Sequence, residues 1–214
     1  MISILIAFRF PPRNVCLAQE IETVERVFSH WEQLAEKYPI ELVFINDHSD
    51  NFWLNKPYIY PMHGTKVNWN QAASRNYAAT LAKGDKFLFT DIDHILDGDL
   101  NALDKMSLHQ KYFKFCRISL IDSSGKDIRP HTNTFLILAK DFVQYDEDFC
   151  GNYGYEDTEF FFRLRKTHEV AYAPKELAFT CVLKLPRPTL SRNKAINENI
   201  LYLKTFNTKG TKDQ

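Results

Sequence analysis

Three stretches of the chain are apolar almost without interruption: ISILIAF at 2–8, the body of IELVFIND at 40–47, and the body of DKFLFTDID at 85–93. Continuous rather than alternating apolar residues predict strands buried on both faces, the habit of parallel sheets covered by helices. After the Pro11-Pro12 break, Leu17, Ile21, Val24, Phe28, Trp31 and Leu34 recur at spacings of three and four. That period predicts an amphipathic helix over 15–38. Strand, helix and strand in this order predict a βαβ unit. NWNQAASRNYAATLAKG (68–84) predicts a second helix, alanine-rich, with asparagine at its front and Gly84 placed for a left-handed C-cap. KYFKFCRISLI (111–121) and TNTFLILA (132–139) predict further strands, with DSSGKD (122–127) as a hairpin-like link. YEDTEFFFRLRKTH (155–168) predicts a last helix with Phe161, Leu164 and His168 on one face.

Composition narrows the class. With 214 residues, 44% hydrophobic and 25% charged, the chain can bury one sizeable core but not two full domains. The expectation is a single α/β domain over 1–182, a mixed, mostly parallel sheet flanked by helices. A C-terminal segment, 183–214, is expected to be helical and to pack on or extend that domain. Formal net charge is zero, so no global field draws the protein to nucleic acid or membrane. The segment from 182 onward is the exception: seven lysines and arginines against Glu198 and Asp213 give it +5, a solvated helix face or a partner-binding patch. Cys16, Cys116, Cys150 and Cys181 are widely spaced with no CxxC pair, which predicts free thiols in a reducing compartment. No apolar run approaches a membrane span and no signal-peptide pattern is visible. A cytoplasmic protein is expected.

Two acidic pairs carry the candidate chemistry. In an extended strand, residues i and i+2 share a side, so Asp91 and Asp93 are expected to converge while Ile92 faces the core. Ligands of open α/β sheets bind beyond the carboxyl ends of the strands, and paired carboxylates there suit a hard divalent ion, Mn²⁺ or Mg²⁺, completed by substrate phosphates. Taken alone, the same pair also fits a surface turn. The second pair is Glu156-Asp157, behind a loop containing Gly151 and Gly154 and at the start of a helix. Unpaired N–H groups in a first helical turn favour an ionised carboxylate, which suits a general base, though simple capping of the helix has the same signature.

The succession IAFR, WNQAASRN, FLFTDIDHI and GNYGYEDTEFFFRL, in this order from residue 2 to about 165, resembles the GT-A-fold glycosyltransferases, closest to the galactosyltransferase-type family 7 and its family 2 relatives of the chondroitin-polymerase kind. The resemblance implies a GT-A, Rossmann-like fold. It places Phe8 and Arg9 on a segment touching the nucleotide and Asp47 on the acid that contacts the uridine. Asn70, Arg75 and Asn76 fall on the donor-side helix, where Gln71 replaces the family 7 arginine. Asp91 and Asp93 fall on the DxD that holds the metal and, through it, the donor diphosphate. Tyr153 and Gly154 fall on the donor- and acceptor-facing loop. Glu156 and Asp157 fall on the "ED" pair, whose aspartate is the catalytic base; an aspartate rather than an asparagine there implies the inverting course.

Two departures qualify what the resemblance implies. The family completes its metal site with a histidine near the domain's end, and CVLKLPRPTLSRNKAINEN (181–199) has none. His94, His131 and His168 are the candidate substitutes; none is in the family's register, and strand alternation predicts that His94 points away from Asp93. Lys184 offers an alternative positive charge near the diphosphate. Tyr153 and Thr158 stand where the galactosyltransferase pattern WGGEDDD has a tryptophan and the acceptor-gripping acid, so N-acetylglucosamine is not expected to bind in the usual way. The expected activity is inverting, metal-dependent transfer from a nucleotide-sugar, a UDP-sugar first of all, to a glycan hydroxyl. The alternatives are the same chemistry on a hydroxymethylated base of DNA, suggested by the basic segment, and a non-catalytic nucleotide-sugar-binding module.

Overall fold

The structure, a computed structural model, describes residues 1–9, 18–47, 55–62, 70–96, 98–119, 127–148, 156–177 and 179–181. The expected buried strands form: β1 (Ile2–Phe8), β2 (Ile40–Asp47) and β4 (Lys86–Thr90). β1 is the centre of this half of the sheet, parallel to β2 on one side (Ile2 opposite Ile40) and to β4 on the other (Ile2 opposite Lys86). β3 (Ile59–Met62) extends the parallel run beyond β2. The chain therefore leaves β1 in one direction and returns on its other side, which opens a crevice at the carboxyl ends of β1 and β4, the switch point where such sheets bind ligands.

The other half is mixed. β7 (Asp127–Leu138) runs antiparallel to β4, with Phe89 opposite Phe135, and antiparallel to β6 (Lys111–Ser119). Along its far edge β6 carries two short parallel partners in succession, β8 (Glu169–Tyr172) and then β9 (Phe179–Cys181). β5 (His94–Leu96) closes the order, antiparallel to β9. Among the described residues the sheet has nine strands, and five of its eight pairings are parallel.

Helices cover both faces. α1 (Ala18–Lys37) lays Val24, Val27, Phe28 and Trp31 on the face made by Ile2, Ile4, Ile6, Leu42 and Phe44, where α3 (Leu100–Asp104) adds Leu100 and Leu103. α2 (Gln71–Leu81) and α4 (Glu156–Leu164) cover the opposite face, made by Leu5, Val43, Phe87, Phe89 and Phe135. α4 begins at Glu156, as expected, but ends at Leu164, so His168 falls after the helix rather than on its face; Asn70 caps α2 by accepting from the Ala73 N–H at 2.9 Å.

Gly84 is not the left-handed cap that the sequence suggested. The C-cap of α2 is Ala82, in an extended conformation. Gly84 instead lies where a Cβ would come within 2.5 Å of Ser3 Oγ and 2.8 Å of the Met1 carbonyl, while its N–H donates to Ser3 Oγ at 2.9 Å. It is there for the close approach of the chain to β1, not for backbone conformation. β7 also starts five residues earlier than predicted, because its polar start, DIRPH, pairs with β6 up to Asp127 opposite Ser119. Residues 122–126 of the predicted turn between these strands, the side chains of the four cysteines and the segment from 182 to 214 lie outside the described residues.

Candidate functional site

The site gathers at the carboxyl end of β4. Asp91, Ile92 and Asp93 do not continue the strand as expected; β4 ends at Thr90, and the three form a turn closed by the His94 N–H donating to the Asp91 carbonyl at 3.1 Å. The two carboxylates consequently part company. Asp93 Oδ1 lies 2.8 Å from His94 Nδ1. Asp91 faces the crevice and meets groups from three other segments.

The first is Arg75, in the middle of α2 and almost wholly buried. Its guanidinium donates to Asp157 Oδ1 at 2.5 Å and reaches Asp91 Oδ1 at 3.5 Å, so it joins the two acidic motifs across 66 residues of sequence. Tyr145 supports it from beneath: the guanidinium carbon sits 5.3 Å from the ring centroid and Nη1 donates to the hydroxyl at 3.3 Å. Tyr145 in turn stacks on Phe160 of α4 with ring centroids 4.1 Å apart. Gln71, one turn before Arg75, spans to the second pair: with its amide turned to satisfy both ends, it donates to Glu156 Oε1 at 3.1 Å and accepts from Arg75 Nη2 at 2.8 Å.

The second contributor is the middle of β7. Because β7 is antiparallel to β4, the register that sets Phe89 opposite Phe135 carries Asn133 to the level of Asp91. The Asn133 amide lies 3.4 Å from both Asp91 oxygens in one orientation and against Asp157 in the other. His131 Nε2 is 3.8 Å from Asp91 Oδ2, and its Nδ1 lies 3.1 Å from the Thr134 hydroxyl. The third is His94 itself. Contrary to the alternation argument it points inward: its side chain is 1% exposed, with Nδ1 4.0 Å from Asp91 Oδ2. Asp91, His94 and His131 each bring a ligand atom within 4.8 Å of the others. His168, the remaining candidate, precedes β8 at the opposite end of the sheet, 3.5 Å from Asp141.

The electrostatics separate the two acids. Burial alone would raise the pKa of Asp91, but His131, His94 and Arg75 outweigh it and hold the carboxyl below the ordinary range. At Asp157 burial dominates: despite Arg75, its pKa is raised, with the Asp91 charge adding to the effect. Arg75, between them, is held firmly protonated: the surrounding anionic groups outweigh its burial.

The other predicted residues divide. Phe8 is buried in the core, packed on Phe28 with ring centroids 6.2 Å apart, while Arg9 is exposed where β1 ends. Asp47 is buried and accepts from the Asn70 N–H at 3.0 Å. Asn76 grips the backbone of Tyr145 from both sides, donating to its carbonyl at 2.9 Å and accepting from its N–H at 2.8 Å; Asn70 donates to the Glu147 carbonyl at 3.2 Å. These asparagines fasten α2 to the segment that carries Tyr145. Tyr153 and Gly154 lie outside the described residues. Of the residues gathered here, His131 is among the three histidines the sequence offers as metal ligands, whereas no motif in the sequence points to Asn133 or Tyr145 as site residues. The period-two placement of His131 and Asn133 in HTNTF was the available signal, useful only once β7 is known to run antiparallel to β4.

No protein-family model and no curated protein sequence matches the chain. Solved structures do. Residues 1–349 of TarS from S. aureus, in complex with UDP-GlcNAc, superpose with a TM-score of 0.59 at 12% identity over 87% of this chain. Drosophila β-1,4-galactosyltransferase 7, in complex with manganese, UDP-Gal and xylobiose, gives 0.53 at 14% identity over 86%. GalNAc-T7 with UDP, GalNAc and Mn²⁺ gives 0.57 at 13% identity over 88%. The fold is GT-A. The chain spans 59% of the TarS fragment, 71% of the galactosyltransferase and 45% of GalNAc-T7, so it corresponds to a part of those longer proteins. Within the GT-A frame, the crevice at β1 and β4 is where Asp91, Arg75 and Asp157 stand. Among the described residues no helix is long and apolar enough to cross a membrane.

Proposed function

We propose that this chain is an inverting, metal-dependent glycosyltransferase that moves a sugar from a UDP-sugar to an acceptor hydroxyl, on a glycan. The observation that carries the proposal is the Asp91–Arg75–Asp157 arrangement at the switch point of a GT-A sheet. Asp91 fits the carboxylate that would hold Mn²⁺ or Mg²⁺, and a cation there would stabilise the charge growing on the departing diphosphate. Arg75 keeps the two carboxylates at a fixed separation and screens them from each other. Asp157, raised in basicity by burial, takes the proton from the acceptor hydroxyl as that oxygen attacks the anomeric carbon opposite the leaving group. Glu156, held by Gln71, fixes the first turn of α4 that presents Asp157. The resulting bond change is a single displacement: the sugar–phosphate bond breaks, the sugar–acceptor bond forms, and its configuration inverts.

Titration calorimetry with UDP and Mn²⁺ tests the donor end, and Asp91→Ala should abolish the binding heat. Asp157→Asn should retain UDP binding and lose transfer by at least about a hundredfold, read by mass spectrometry of products from a panel of nucleotide sugars. Transfer at the wild-type rate in that variant removes Asp157 as the base.

A further inference from the structure

Resting on that reading of the site, we propose that His94 and His131 are the nitrogen ligands that complete the Asp91 metal centre, making it a mixed oxygen–nitrogen site that takes a borderline transition ion such as Mn²⁺, Co²⁺ or Zn²⁺ in preference to Mg²⁺. Three features converge on this assignment. The ligand atoms are close enough to share one ion, with Asp91 Oδ2 3.8 Å from His131 Nε2 and 4.0 Å from His94 Nδ1. The two rings approach to 4.9 Å between centroids.

The second feature is the state of His94. Its side chain is 1% exposed, and neither ring nitrogen makes a hydrogen bond; the 2.8 Å approach of Nδ1 to Asp93 is close but poorly aligned. A buried polar group left without a hydrogen bond is costly, and the one lone pair of a neutral imidazole set among carboxylate oxygens is satisfied by a cation that those oxygens share. The third is the bracing of His131. Its Nδ1 is engaged by the Thr134 hydroxyl at 3.1 Å, and Thr134 is fully buried 3.4 Å from the Thr90 hydroxyl. Fixing one ring nitrogen so that the other faces the ion is how ligating histidines are oriented. Oxygen ligands suit Mg²⁺, whereas imidazole shifts preference towards transition ions, in the order Mn²⁺, Co²⁺, Zn²⁺. The histidine that GT-A relatives supply from the end of the domain is thus replaced here by two from β5 and β7.

The test titrates the protein with each ion alone, without nucleotide, by calorimetry, and records pulsed EPR of the Mn²⁺ form. The expected result is Mg²⁺ binding at least about tenfold weaker than Mn²⁺ and nitrogen couplings in the wild-type Mn²⁺ spectrum. His94→Gln and His131→Gln should each weaken Mn²⁺ by about tenfold or more, with His168→Gln unchanged. A spectrum without nitrogen coupling, or equal affinity for Mg²⁺ and Mn²⁺, overturns the assignment. The wild-type spectrum decides even where His94→Gln fails to fold. Nitrogen ligation in a protein that turns over no nucleotide sugar would remove the transferase reading and leave this one. Turnover with an all-oxygen spectrum would do the reverse.

Discussion

The turn after β4 and the first turn of α4 both present an aspartate to the same guanidinium, yet they treat the charge in opposite ways. Asp91 stands among Arg75, His94 and His131 and is held ionised. Asp157 is desolvated by burial at the start of α4, and its pKa is raised in spite of Arg75. One carboxylate is kept as a standing charge for a cation, and the other is kept ready to accept a proton. The same residue types, placed a few ångströms apart, are divided into two roles by what packs around them rather than by the motifs that contain them.

Arg75 is the hinge of this contrast, so its removal gives the largest expected effect. Arg75→Leu strands two acids in a crevice with no central cation, and truncating one partner of a buried ion pair costs about 3–5 kcal/mol. Urea denaturation should show that loss. Arg75→Lys should recover only part of it, because a point ammonium cannot reach Asp157, Asp91 and Gln71 as the planar fork does. A loss below about 1 kcal/mol would mean that the two acids do not depend on Arg75.

How much of this was legible in the sequence follows the same line. β1, β2 and β4 could be read because continuous apolar runs have one structural meaning, and Asn70 could be read as the front of α2 because its side chain acts locally. The acidic motifs were equally visible. The groups that give them different roles were not visible as partners: Arg75 reaches Asp157 across α2 and α4, and Asn133 and His131 arrive through an antiparallel pairing that no local pattern announces. Alternation fails for His94 because the strand ends at Thr90, and the turn at 91–93 resets the side-chain directions before β5 begins. The short strands β5 and β9, three residues each, have no period to detect. Gly84 was assigned to the commoner of two glycine uses, and the contact that decides between them, with Ser3, lies 81 residues away in sequence.

The contrast between the acids also has a pH signature. If Asp157 is the base, kcat/KM falls about tenfold per pH unit on the acid side, and the fall begins above the ordinary aspartate value of about 3.9. An acid limb at or below that value would show that burial does not govern the base. Stability responds in opposite senses at the two sites. Asp91, with its folded pKa lowered, contributes stability above the unfolded value that is lost as pH falls below it. Asp157, with its folded pKa raised, costs stability when ionised, and that cost is relieved as pH falls through its folded value.

The smallest effect concerns the cation beneath Asp157. Lys114 of β6 is buried, with Nζ 3.7 Å from the Phe161 ring centroid. Burial, with the neighbouring Arg165 charge, lowers its pKa to about 8, against a smaller opposing pull from Asp157. A lysine that releases its proton more readily when folded than when unfolded destabilises the protein below about pH 8, and stability is regained as pH rises from there towards its unfolded value. Lys114→Met should therefore stabilise the protein at pH 7 by about 1–2 kcal/mol, the gain being trimmed by the lost ring contact. Between pH 7 and pH 10 the wild type should gain on the variant. If Lys114→Met destabilises at pH 7 instead, the ammonium is being held in place by Asp157 and belongs to the charge balance of the site, not to the cost of its floor.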